Sequence, residues 1–474
     1  MGSVGISFGS PTSGQGFDVT TTVNEIVSNL QAVETPWKNQ LTTLTSQDAA
    51  LTNIGTDLSS LSTALQALTD FEGVLSEKEG SSSDTSILNL TGADTSAVAG
   101  SHTVVVNSLA QTDSWYSGDV ASTDTLSGSL TINGKAITIS DGTATDSSGN
   151  TIPANNTLAT LESYINSGSY GVTANLVTDA GGERLSLVSN TSGNSGDIAL
   201  DAGSLMDQTT SSAVPFTEAQ QGTLVGGQDA SFSVDGINMT SPSNTVTTAI
   251  QGVTLQLLSA DPNTSVQVEV ANDTSDVETA VSNFVTAYNT VVKDVNTQEG
   301  NDSSGNPEPL YGNPTLATLQ EQMDQALNFV QSSGALTSAT QLGIEASTSD
   351  DGTLTLNTNT LDSALNSNYQ DVVNFFQPAS GFTSFGDNFS TTLGNLANSA
   401  PSGAIYMTLQ QNSAQESQLN TNVTNQNTLI STQQANLTSE LNQANQTLQE
   451  IPVELQEINE MYGAMTGYGE NPQS

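Results

Sequence analysis

His102 is the only histidine in the chain, and so the first residue to test for proton-transfer chemistry. A catalytic histidine needs a nucleophile within reach and a third group to orient it. A metal-binding histidine needs further ligands at fixed spacing. Neither requirement is met, because the 474-residue sequence has no second histidine and no cysteine. A structural or surface role is therefore expected for His102. With 49 Asp and Glu residues, close carboxylate pairs are unavoidable, and none lies in a motif that marks a glycosidase-type cleft. Two segments rich in Asp and Asn, 141–156 and 301–306, raise the question of calcium. The run Asp141-Gly-Thr-Ala-Thr-Asp146-Ser-Ser-Gly-Asn150 lacks the alternating ligands of an EF-hand loop, so solvated turns are expected instead. Trp37, Trp115 and Tyr116 are too scattered to form a binding stripe and are read as core or interface residues. No catalytic, cofactor-binding or metal-binding residue is assigned, and no cofactor is expected.

The overall charge excludes further classes. Only Lys38, Lys78, Lys135, Arg184 and Lys293 are basic, and the formal net charge is -44. Nucleic acid is excluded as a partner because phosphate neutralisation needs clustered cations. Anionic membrane surfaces are disfavoured on the same ground. Charged residues make up only 11% of the chain, too few for a disordered acidic tail, so folded domains are expected. No apolar run approaches the ~18 residues that span a bilayer. The opening Met1-Gly-Ser-Val-Gly-Ile-Ser-Phe-Gly-Ser10 lacks a basic and an apolar region, so an export route without a cleaved signal peptide is expected. Absence of cysteine suits passage through a narrow channel in an unfolded state.

The elements that must carry any function are helical at the ends and sheet-like in the middle. Leu44, Leu51, Leu58 and Leu65 repeat every seven residues, with Ile54, Leu61 and Leu68 as a second row. This heptad seam predicts a helix over 42–68, about 40 Å long. Its burial would contribute at most about 10–15 kcal/mol. A seam needs a partner, and the C-terminal segment offers one. Val423, Ile430 and Leu437 repeat every seven residues, and Leu441, Leu448 and Leu455 repeat again after a four-residue stutter, joined by Ile451 and Ile458. Gln47, Gln426 and Gln433 interrupt the seams, and Pro452 predicts a kink or a helix restart. With no Lys or Arg in the C-terminal segment, seam packing rather than interhelical salt bridges must select the partner.

Between the ends, residues 86–272 read as sheet. Asn133-Gly134 and Asp235-Gly236 each separate two short apolar alternations, predicting two-residue hairpins with Leu130 and Ile132 before Ile137 and Ile139, and Phe232 and Val234 before Ile237 and Met239. The second hairpin is expected to present one apolar face. Further strands are expected at 103–107, 171–177, 185–189, 253–258 and 266–270, with a short helix carrying Leu158, Leu161 and Ile165. Helices return after 272. One opens at a capping box Ser275-Asp-Val-Glu278, a second begins near Pro314 and carries Val330, and a third carries Leu361 to Phe376. The fold class is α+β multidomain: a helical coiled-coil stalk from both chain termini with inserted β-rich head domains. The expected divisions are terminal helical segments 1–45 plus 420–474, disordered until assembly; a stalk of 46–80 plus 273–419; a head domain of 81–125 plus 223–272; and an inserted second head of 126–222. Both termini would then lie at one end.

Several blocks in order resemble the flagellar filament cap family. They are Gly16-Phe-Asp-Val19 with Ile26, Val27, Leu30, Glu34 and Pro36; Ser101-His-Thr-Val-Val-Val-Asn-Ser-Leu-Ala-Gln111; Gly227-Gln-Asp-Ala-Ser-Phe-Ser-Val-Asp-Gly236 with Gly252-Val-Thr-Leu255; Phe284-Val-Thr-Ala-Tyr-Asn289; and 342–356. The tail departs from the family, since Asn, Gln, Ser and Thr largely replace its charged residues. The resemblance implies secretion through the flagellum's own export apparatus with a chaperone. It implies a ring-like homo-oligomer, a pentamer, at the filament tip, which prevents loss of exported flagellin and promotes its polymerisation. Host or surface glycans enter as partners of an adhesive role. The alternatives are another axial component, such as flagellin or a junction protein, and an unrelated surface adhesin; the internal blocks 227–255 and 342–356 favour the cap. An enzyme comes last. Mutual repulsion among so many carboxylates further predicts tighter oligomers at acidic pH or high salt.

Overall fold

The computed structural model describes residues 16–221, 224–349, 351–378, 381–397 and 401–466. It divides into a helical unit, Met1–Asp70 with Glu278–Ser474, and a sheet unit, Phe71–Val277.

In the helical unit, α1 (Val19–Gln31) is capped by Asp18, whose carboxylate accepts the Thr21 N–H at 3.1 Å. A single 3₁₀ turn at Ala32–Glu34 separates it from α2 (Thr35–Thr69). The break precedes Pro36, which is tolerated in the first turn of α2 because its missing N–H would have no intrahelical partner there. Every residue of the predicted leucine seam on α2 is buried: Leu44, Leu51, Ile54, Leu58, Leu61, Leu65 and Leu68. The sheet unit contains α3 (Leu158–Ser167), which opens with a Thr157–Thr160 capping box. Then follow α4 (Thr274–Gln298), α5 (Pro314–Leu327), α6 (Thr358–Ser367), α7 (Tyr369–Phe376), α8 (Phe385–Leu396) and α9 (Ala404–Thr466).

Aromatic rings close the core of the helical unit. Phe375 on α7 stacks on Phe385 of α8 at 4.7 Å, and Phe284 on α4 meets Phe389 of α8 edge-on at 5.3 Å. Each such ring contributes roughly 1.5–3 kcal/mol by burial. α8 approaches α7 so closely that a side chain at Gly386 would collide with the Phe376 carbonyl oxygen. Burial first, and Asp324 second, push the Tyr288 hydroxyl well above its ordinary range.

The sheet unit holds two hydrophobic cores. The first joins a five-stranded sheet, in the order 78–82, 261–272, 100–108, 230–234, 237–241, to a three-stranded sheet of 245–250, 253–257 and 88–93. Phe232, Leu255 and Val266 are fully buried in it. The second core packs α3 on a sheet ordered 216–218, 112–117, 183–192, 172–178. Both predicted hairpins form. Ile132 pairs with Lys135 across Asn133-Gly134, and Val234 pairs with Ile237 across Asp235-Gly236. Asn133 and Asp235 both take φ of 51°, the left-handed region that Asn and Asp tolerate and that this turn requires.

Six expectations need correction. The segment ending at Phe376 is two helices, α6 and α7, broken at Asn368. α4 is capped by Asp273, which accepts from Ser275 and Asp276 N–H at 3.1 Å, and not by Ser275. Val330 lies beyond α5 and is exposed. Ile237 is exposed as well, because its strand is the edge of the five-stranded sheet, beyond the core that Phe232 fills. Strand 112–117, placed in the first head by a border at 125, pairs instead with 183–192 and 216–218 and packs Trp115 on the second core. The first sheet likewise begins at 78 rather than 81.

Candidate assembly interface

The predicted seam residues do not all meet one another. α1 and α2 run antiparallel to α9. The Asn412 amide donates to Asp48 at 2.6 Å, and the Gln426 amide donates to the Leu30 carbonyl at 3.3 Å. At the far end the Phe17 N–H donates to Asn445 Oδ1 at 2.9 Å, joining residues 428 positions apart. The described N-terminal helices and α9 therefore share one seam of the helical unit.

Along this seam Val19, Val23 and Val27 of α1 bury Ile430, with Leu437 and Leu441 packed at the margin. Ile430, Leu437 and Leu441 thus meet α1, while Val423 lies past its end, and the leucine row of α2 packs on the start of α9 and on α8. The pairing expected between Leu44–Leu68 and 423–455 is displaced by one helix length. α9 begins only at 404, so antiparallel alignment sets Asp48 beside Asn412, and the lower half of α2 needs α8 as its cover. Gln426 spends its amide on a backbone carbonyl of α1, as a polar seam residue that fixes register does. Gln47 instead leaves the seam and donates to the Pro309 carbonyl at 3.1 Å.

Beyond Gln449, which Gly16 still approaches, the seam loses its cover among the described residues. Leu448 is half-buried, Leu455 is 41% exposed, Ile458 55% and Tyr462 63%. They continue the heptad of Leu441, so the apolar stripe that α1 covers runs on past it, half-buried at Leu448 and exposed from Leu455 onward. α9 passes through Pro452 without ending. Of its 63 residues only Ile405, Asn412, Leu419 and Ile430 are buried. A helix this long cannot rest on propensity alone and depends on packing of its apolar face.

Two carboxylates mark the same helices. Glu34, in the turn between α1 and α2, is 1% exposed; its Oε2 pairs with Lys38 at 2.6 Å, and its Oε1 has no hydrogen-bond partner. Asp57 on α2 faces Asp294 on α4, and burial, then a hydrogen bond to Asp294 and its repulsion, push Asp57 up to about 6. Sequence reasoning missed both. Glu34 at a helix break was legible only as part of a family block, and nothing in the sequence brings Asp57 to Asp294.

The residues first weighed for chemistry have structural surroundings. His102 Nδ1 lies 2.8 Å from Asp235 Oδ2, and the other oxygen of Asp235 accepts the Thr103 N–H at 2.8 Å. The histidine holds Asp235 below the usual carboxylate range and fastens a hairpin turn to the neighbouring strand. Asp146 and Asp302 head two identical Asp-Ser-Ser-Gly-Asn loops. Each accepts N–H bonds from residues two and four positions on, which fixes a turn. Among the described residues no group of three or more His, Cys, Asp or Glu could hold a metal ion, and no helix is long and apolar enough to cross a membrane.

This fold and this seam define an assembly subunit, with terminal helices laid together and two sheet-built cores inserted between them. Models of the flagellar hook-associated protein 2 N-terminus and C-terminus match residues 15–113 and 227–464. The B-type flagellar hook-associated protein 2 of Pseudomonas aeruginosa is 30% identical over 395 residues, covering 77% of this chain and 79% of that protein. Flagellar hook-associated protein 2 of Escherichia coli K12 is 28% identical over 370 residues, covering 74% and 76%. The crystal structure of the flagellar cap protein D1-D2-D3 domains from E. coli shares the fold, with a TM-score of 0.54 at 24% identity over 77% of this chain and 99% of that one. The chain belongs to the flagellar hook-associated protein 2 family, the structural caps of the flagellar filament.

Proposed function

We propose that this chain caps the filament as a homo-oligomeric ring, a pentamer, whose copies are joined through the bare stripe of α9. The stripe from Leu448 to Tyr462 carries this reading, because a heptad seam left largely exposed over about four turns is unstable in water until another helix covers it. The sheet unit forms the plate over the growing end. Of the terminal segments 1–45 and 420–474, the parts outside 16–466 lie beyond the described residues; the described parts gain their order on assembly, since α1 holds α9 by a narrow valine row and two hydrogen bonds. The cap retains exported flagellin and promotes its polymerisation by contact and confinement, without catalysis. Passage through the flagellar export apparatus, with a chaperone, fits a chain that has no disulfide to form.

Sedimentation of the purified chain tests the interface. Leu455→Glu with Ile458→Glu adds two carboxylates to the stripe of an already anionic subunit and is expected to leave it monomeric at concentrations where wild type assembles. An assembly unchanged by both substitutions, with the helical content of wild type, would refute the interface. Wild-type association should also strengthen as added salt screens the net charge of -44.

A further inference from the structure

The same stripe ends in two methionines that the assembly reading leaves without a role. Met465 occupies the seam position after Ile458 and Tyr462 and is 86% exposed; Met461 flanks the seam and is 70% exposed. They lie one helical turn apart. The chain has no cysteine, so thioethers are its readiest sites for two-electron oxidation. Of the other described methionines, Met323 is buried in the helical core, Met239 is half-buried, Met206 is 39% exposed in the sheet unit, and Met407 is exposed at the opposite end of α9.

We propose that Met461 and Met465 form an oxidant-sensitive modification site that governs whether the α9 stripe can be buried. The inference rests on the assembly reading above. The co-reactant is a hydroperoxide. A sulfur lone pair attacks its terminal oxygen, the S–O bond forms as the O–O bond breaks, and the departing oxygen takes a proton to leave as water or an alcohol. The sulfur loses two electrons, which the peroxide gains. A neutral peroxide suits the site, since Glu454, Glu457 and Glu460 crowd the same turns and repel anionic oxidants. The product replaces a flexible apolar side chain by a polar one. At the seam position of Met465 that sulfoxide must surrender its hydration on assembly, which costs association roughly tenfold or more. Copies already assembled have the stripe covered, so the site acts on free subunits.

The full-length chain treated with dilute hydrogen peroxide tests this. Peptide mass mapping is expected to show Met465 and Met461 gaining oxygen well before Met323. Sedimentation of treated wild type should then show association weakened at least tenfold, while treated Met461→Leu with Met465→Leu, which keeps the stripe apolar, assembles as the untreated protein does. Treated wild type that assembles normally would overturn the inference, as would a treated leucine variant that loses as much as wild type. Untreated Leu455→Glu runs in parallel. If it assembles normally, the seam reading falls and this inference with it. If it is weakened while oxidation has no effect, this inference alone falls.

Discussion

Replacing Asp57 by Asn should stabilise the helical unit at neutral pH and flatten part of its response to acid. Asp57 and Asp294 face each other across α2 and α4, and burial, then Asp294, raise the Asp57 carboxyl from 3.8 to about 6. At about 1.36 kcal/mol per pH unit this displacement corresponds to ~3 kcal/mol. Both side chains keep some contact with water, and solvent screening reduces the figure to about 1–2 kcal/mol. The sign follows from proton binding. Between pH 3.8 and 6 the folded state holds a proton that the unfolded state has released, so this pair favours folding as pH falls through that window. Above 6 both groups are charged and the pair is a net cost. An Asn amide can donate to the Asp294 carboxylate permanently, standing in for the protonated acid. Urea unfolding of wild type and Asp57→Asn at several pH values from 4 to 8 gives the difference curve. That difference cancels carboxylates with the opposite slope, such as Asp351, which its hydrogen bonds to Thr353 hold below the usual range. The variant is expected to be about 1–2 kcal/mol more stable at pH 7, with the advantage fading as pH falls from about 6 toward 3.8. An Asp57→Asn chain less stable than wild type at pH 7, or a difference independent of pH, would refute the reasoning.

Glu34→Gln should tighten α1 against α9. It removes a buried charge whose Oε1 is unpaired, and the Lys38 it leaves behind is largely solvated and needs no substitute. Amide exchange across residues 19–31 should slow several-fold, corresponding to on the order of 1 kcal/mol; faster exchange would mean that Glu34 supports the turn. Two glycine substitutions should have opposite signs in thermal unfolding. A methyl group meets nothing within 4 Å at either Gly236 or Gly394, so only the backbone differs. Gly236→Ala, at φ of 81°, should destabilise the sheet unit by about 1 kcal/mol, and Gly394→Ala, inside α8, should stabilise the helical unit by about 0.5–1 kcal/mol. Equal signs would contradict the account.

What could be read in the sequence was whatever depends on local pattern. The leucine row of α2 is buried throughout because seven-residue spacing keeps one face of a helix apolar whatever covers it. The two Asx-Gly turns formed because few residues accept positive φ. Partner choice was not local: the spacing of Val423, Ile430 and Leu437 marks a face to be buried but carries no information on whether α1 or α2 buries it. α8 escaped notice because Gly386 and Gly394 break its pattern, although Gly386 is needed for close approach to the Phe376 carbonyl. Strand 112–117 is mostly polar in composition and shows its membership only through pairing with distant strands. The Asp57–Asp294 pair joins residues more than two hundred positions apart, which no window along the chain could reveal.

The central claim is that this chain closes the filament tip through its terminal helices. The most direct measurement is the flagellin released into the medium by cells lacking the gene and complemented with wild type or with the Leu455→Glu, Ile458→Glu chain. The account predicts short or missing filaments and abundant free flagellin for the variant, as for the deletion, with wild type restoring both. Full-length filaments and no excess flagellin in cells carrying the variant would contradict it.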